Sequence, residues 1–81
     1  MSQEPAIPLS SLKQGNKAVV AALTGGLEFQ KRLRSMGLNE KKTIRLVAKH
    51  HFSGPLVVEI EGRQVTIGRG MASKINVEPE Q

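Results

Sequence analysis

Eighty-one residues leave room for one small core, which buries about 60% of the surface that the unfolded chain exposes. No cysteine is present, which excludes disulfides and thiolate metal centres. Twelve Lys and Arg against seven acids give a net charge of +5, a balance that favours anionic partners.

The charge is unevenly spread. From Lys13 to Lys49 there are nine cations and two acids, +7, while the rest of the chain has three cations and five acids, −2. A field of one sign over half a small domain suits nucleic acid, an acidic protein face or anionic lipid, or serves solubility. The longest apolar run, Ala18 to Leu23, is far shorter than the ~20 residues of a membrane span. The start, "MSQEPAIP", has neither the basic residues nor the apolar stretch of a signal peptide. A cytoplasmic location is expected.

The stretch up to Pro8 is polar, with two prolines and no periodicity, and reads as a loose tail. The expected division is a tail at 1–7, one domain over 8–78 and a short tail at 79–81. Leu9 and Leu12 are three apart with Gly15 beyond them, which predicts a single helical turn with both leucines in the core. "KAVVAAL" from Lys17 predicts a strand, and its apolar residues on both faces predict burial on both. Gly25-Gly26 ends it.

Phe29, Leu33 and Met36 then fall at i, i+4, i+7, one stripe of a short helix of about ten residues. Lys31, Arg32 and Arg34 fall largely outside that stripe. Gly37 supplies a left-handed stop, and Leu38 can fold back on the last turn. A helix so short is unstable alone in water, so its stripe must be docked. Alternation resumes from Thr43 to Lys49 and from Leu56 to Glu61, around the turn at Gly54-Pro55. Glu61-Gly62 predicts a tight hairpin. Val65 and Ile67 continue it, "GRGMASK" makes a turn, and Ile75 with Val77 a last strand. The pattern is all-β: a small barrel of about five strands with one short α-helix after the first.

Catalysis is poorly supplied, for the chain has no Asp, Cys, Tyr or Trp and its serines have no base at a telling spacing. No enzyme is expected. His50 and His51 are adjacent, so in an extended segment they point to opposite sides and cannot both hold one ion. A metal site would need one of them with a glutamate from another strand, such as Glu59. "TGGLEFQKRL" lacks the Lys-Ser/Thr ending of a phosphate loop. Single-strand nucleic-acid binders stack bases on aromatics, and this chain has only Phe29 and Phe52.

"PLSSLKQGNKAVVAAL", "KRLRSMGL" and "VEIEGRQVTIGRGMASKINV" together resemble the FeoA family, small accessory proteins of bacterial ferrous iron uptake. Leu9, Leu12, Gly15, Arg32, Leu33, Met36, Gly37, Leu38, Gly54, Pro55, Ile67, Ala72, Ile75 and Val77 match its pattern in order. The chain departs from it at Asn39-Glu40-Lys41-Lys42, where members often have Pro-Gly, and at "KHHFS", where many have a small Ala-Pro segment. The resemblance implies an SH3-like barrel, shared with the C-terminal domains of iron-dependent repressors. It also implies action with FeoB, the membrane transporter whose cytoplasmic part is a GTPase. No cofactor is expected, a transition metal being the alternative.

On that reading Lys31, Arg32, Arg34, Met36, Leu38, Lys41, Lys42 and Arg45 are the expected partner-binding residues. The partner face is acidic, or an anionic membrane surface lies beside it, and the protein is a monomer or a weak oligomer. Leu9, Leu12, Gly15, Phe29, Leu33, Gly37, Gly54 and Pro55 are expected to be structural. The other readings are a basic barrel that binds nucleic acid, a detached repressor-type regulatory domain, and a metal binder using His50 and His51.

Overall fold

The computed structural model describes residues 5–50 and 54–80. Six strands form one antiparallel sheet: β1 (Ile7–Pro8), β2 (Lys17–Leu23), β3 (Thr43–Lys49), β4 (Leu56–Ile60), β5 (Arg63–Ile67) and β6 (Ile75–Pro79). Their order across the sheet is β1-β6-β2-β3-β4-β5. A 3₁₀ turn at Leu9–Ser11 follows β1, helix α1 (Leu27–Ser35) joins β2 to β3, and a four-residue helix α2 (Arg69–Ala72) joins β5 to β6.

The mainly-β architecture with one short helix agrees with the expectation, but the strand count does not. The sixth strand is β1, formed by the residues read as the end of a tail. Ile7 and Pro8 lie opposite Val77 and Asn76, because Leu9 is buried and anchors the chain beside β6. At the other end β6 runs on to Pro79, opposite Ala18.

One apolar core fills the inside of the curled sheet. Ala18, Val20 and Leu23 of β2, Ile44 and Leu46 of β3, Leu56, Val58 and Ile60 of β4, Ile67, Ile75 and Val77 are all buried. Leu9, Leu12, Leu33, Leu38 and Ala72 close it from outside the long strands. Strand β2 corrects the expectation of burial on both faces. Val19, Ala21 and Ala22 are half-buried and Lys17 is exposed. An irregularity in its pairing with β6 between Val20 and Ala22 breaks simple alternation, so small side chains suffice on the outer side.

The 3₁₀ turn is held from across the sheet. Lys49 Nζ donates to the carbonyls of Ser10 and Leu12 at 3.0 and 2.8 Å, and Leu12 N–H returns to the Leu9 carbonyl. Both leucines are thereby fixed in the core, as their three-residue spacing predicts.

Candidate functional site

Helix α1 is the element set apart from the sheet. Leu33 is fully buried, and Phe29 and Met36 are partly buried against the same core, so the predicted stripe is the docked side. The helix ends in a Schellman lock. Leu38 N–H bonds to the Leu33 carbonyl and Gly37 N–H to the Arg34 carbonyl, both at 3.0 Å, with Gly37 at φ +95° where side chains are disfavoured. Leu38 is fully buried. It therefore leaves the expected partner-binding set, since the lock turns its side chain into the core beside Leu33. Met36, half-buried at the helix end, presents only part of its surface.

Opposite the stripe, Leu27, Lys31 and Arg34 are again spaced i, i+4, i+7 and form the outward line. Leu27 is 77% exposed, the one large hydrophobic side chain so exposed among the described residues. Leu27 escaped the sequence reading because it precedes the stripe. A phase count would have found it, since it lies on the side away from Phe29.

The cations do not all stand free. Arg34 forms a two-pronged ion pair with Glu40, at 2.5 and 3.1 Å. These hydrogen bonds hold the Glu40 carboxyl below its ordinary range and push Arg34 up. Lys42 Nζ lies 2.6 Å from Glu61 and lowers that carboxyl in the same way. Both pairs tie turns to the body of the fold. Lys31 reaches Glu28 at 3.7 Å, but those side chains are 75% and 93% exposed, and such surface pairs contribute little. Arg32 is exposed and has no ion pair among the described residues.

Lys41 and Arg45 lie off the helix. Lys41 occupies a turn at φ +74°, and its N–H bonds to the Val20 carbonyl. Arg45 lies on the outer face of β3 between Lys17 and Glu59 in register, beside a hollow of about 240 Å³. The expected basic set is thus spread over three places: Lys31, Arg32 and Arg34 on the helix, Lys41 and Lys42 in the turn before β3, and Arg45 on the outer face of β3.

A cation from far along the chain joins the helical group. Lys74 Nζ stands over the Phe29 ring, and its carbonyl accepts bonds from Thr24 N–H and Oγ1, each at 2.9 Å. Lys31 and Arg32 line a shallow hollow of about 590 Å³ with Glu28, Phe29 and Ser35. The candidate site is therefore the outward side of α1: the exposed Leu27 in line with Lys31, with Arg32 on the flank and Lys74 on the Phe29 side.

The metal candidates are only partly described. His50 lies against Gly54, while His51, like Phe52, lies outside the described residues. Among the described residues no three His or acidic side chains gather as a metal site would need.

Residues 7–79 match the family model of the FeoA domain. The chain belongs to the FeoA family. A protein of Methanocaldococcus jannaschii bearing the name Fe(2+) transport protein A is 34% identical over 71 residues, 88% of this chain and 84% of that one. The crystal structure of an iron uptake regulatory protein, FeoA, superposes with TM-score 0.85 at 30% identity, covering 94% of this chain and 99% of that one. The solution structure of the Chlorobium tepidum FeoA protein gives 0.83 at 25% identity over 93% of this chain and 71% of that one. A manganese-dependent transcriptional repressor gives 0.86 at 23% identity, with 99% of this chain covering 45% of it. This last likeness is one of fold alone. The SH3-like fold and the FeoA-type accessory character in ferrous iron transport follow from the family.

Proposed function

We propose that this FeoA-type protein acts by binding, without catalysis, on the cytoplasmic GTPase part of a FeoB-type transporter and so modulates its activity or assembly. The observation that carries the reading is Leu27, 77% exposed on a helix whose opposite side is locked into the core. An exposed leucine on a helix that also bears the exposed cations Lys31 and Arg32 suits an acidic face with an apolar notch. The notch supplies affinity, while the cations set orientation and association rate. Such a complex weakens as salt rises. Its site is cytoplasmic, where the transporter's GTPase part lies. No helix among the described residues is long and apolar enough to cross a membrane.

Binding of the full chain to the cytoplasmic part of a FeoB-type transporter tests this, measured by biolayer interferometry at about 50 and 300 mM salt. Leu27→Ala should slow binding little and speed dissociation about tenfold, as truncating a central anchor does. Lys31→Glu with Arg32→Glu should cut the association rate and flatten its salt dependence. Arg34→Glu should act mainly through the loss of its pair with Glu40. Undiminished binding of the Leu27→Ala, Lys31→Glu, Arg32→Glu variant would refute the site.

A further inference from the structure

The sheet has two ends, finished differently. β1 is two residues long, and its second residue is a proline, a common way of blunting an edge. β5 has five residues without proline or lysine, and it pairs with β4 without a bulge from Ile60↔Arg63 to Leu56↔Ile67.

Which backbone groups of β5 face outward follows from its turn. Glu61 and Gly62 both have positive φ, +52° and +83°, the signature of a two-residue type I′ hairpin. Such a turn makes Ile60 and Arg63 a hydrogen-bonded pair, and alternation then makes Val58 with Val65 and Leu56 with Ile67 hydrogen-bonded pairs. The N–H and C=O groups of Gln64 and Thr66 therefore point away from β4. Neither residue has another backbone bond among the described residues, and both are exposed.

We propose that this edge pairs antiparallel with the β5 edge of a second copy of the chain, about a two-fold axis at Val65, so that two six-stranded sheets become one. In this register Gln64 of one copy faces Thr66 of the other, and both outward pairs exchange N–H···O=C bonds, four in all. Val65, half-buried and packed on the core, meets Val65 of the second copy where side chains approach most closely. Gln64 and Thr66 are uncharged and put no like charges opposite one another.

Arg63 is the cation of the strand, and its Nη2 lies 3.4 Å from the Met36 carbonyl of its own chain. In the two-fold register Arg63 faces Ile67 of the second copy, and the two Arg63 residues lie roughly 14 Å apart along the strands. That is beyond the screening length of about 8 Å at physiological salt. A parallel arrangement would set the arginines side by side. An extended acidic segment would find no cation at either outward position to select it, so the strand fits itself better than an acidic peptide.

Each copy carries a net +5, so the whole molecules repel while the edges match. Salt therefore strengthens this association, whereas it weakens docking through α1. The proposal is independent of the α1 reading, and the opposite salt dependences separate the failure of one from the failure of the other.

The test is sedimentation equilibrium of the full chain from about 10 µM to 1 mM, since a short edge gives a weak pair, at about 50 and 500 mM salt. Mass should rise toward that of two chains with concentration, more at the higher salt, and the Gln64 and Thr66 amides should gain exchange protection in step. Thr66→Pro removes an outward N–H and spares the bonds to β4, so it should stay monomeric at every concentration. Should that variant unfold, side-chain variants decide. Thr66→Lys should weaken pairing, and adding Gln64→Glu, which sets opposite charges face to face across the axis, should restore it several-fold. A monomer under all conditions would overturn the proposal. So would a dimer indifferent to these changes, a dimer dispersed by salt, or protection of these amides that appears only with an extended partner peptide.

Discussion

The ammonium of Lys74 stands 5.0 Å from the centroid of the Phe29 ring, joining the turn after α2 to the first turn of α1 across 45 positions of chain. Gly25 closes the ring from another side. A Cβ built there would lie 2.9 Å from Phe29 Cδ2, and its φ is +102°. The aromatic ring, its cation and the glycine form one joint that seats the N-terminal end of the helix.

Substitution at the joint separates its parts. Lys74→Met keeps the length of the side chain and loses the charge, and it should cost about 0.5–1 kcal/mol, the worth of an exposed cation–π contact. Gly25→Ala combines a disfavoured φ with a clash against the ring and should cost more, about 1–3 kcal/mol. Urea unfolding gives both values, and the Phe29 ring resonances should move in Gly25→Ala far more than in Lys74→Met.

The helix end makes a second prediction. Leu33→Ala opens a cavity beneath α1 at a cost of about 2–5 kcal/mol. Gly37→Ala forces an alanine to φ +95° and sets its Cβ 2.9 Å from Arg63 Nη2. The guanidinium is the far end of a flexible side chain and can yield, so the backbone dominates and the expected loss is about 1–2 kcal/mol. Native-state hydrogen exchange should show α1 opening below the global free energy in Gly37→Ala, because the Leu38 and Gly37 N–H bonds are the ones released.

What the sequence made legible is what depends on near neighbours. The Phe29–Leu33–Met36 stripe, the stop at Gly37, the Leu9–Leu12 turn and the Glu61-Gly62 hairpin each rest on spacings of a few residues, and each stands in the structure. What it hid depends on distant partners. Ile7 reads as tail until it is seen paired with Val77 on β6. Lys74 reads as part of the acidic remainder until its carbonyl is seen bonded to Thr24. Arg34 and Lys42 read as free cations until Glu40 and Glu61 are found across a turn and across the sheet. The candidate site shifts accordingly, losing the buried Leu38 and gaining Leu27 and Lys74.

Arg69 offers a third prediction, of opposite sign. Its Nε and Nη2 are buried and have no hydrogen-bond partner among the described residues. Buried donors left unmade cost about 1–3 kcal/mol, and more when charged. Arg69→Met keeps the apolar stem and removes the donors, and should be neutral or stabilising by about 1 kcal/mol. Thermal unfolding of Arg69→Met beside the parent chain measures it; a loss above about 1 kcal/mol would mean that the guanidinium is satisfied in solution.

The two turn-holding ion pairs give the protein a pH dependence at the acid end. Glu40 is lowered chiefly by its hydrogen bonds from Arg34, and Glu61 chiefly by its bond from Lys42. A carboxyl whose folded pKa lies below its unfolded value contributes stability that is complete above the unfolded value and lost as pH falls through the folded one. The loss therefore begins near pH 4 and deepens below it. It is modest, because both carboxylates are open to water and screened by salt. In urea titrations from pH 7 to about pH 2.5, Glu40→Gln with Glu61→Gln should lower the midpoint at pH 7 and flatten the acid limb relative to the parent chain. High salt should shrink the difference. An acid limb equally steep in the double variant would assign the effect to other carboxylates and reduce both pairs to surface decoration.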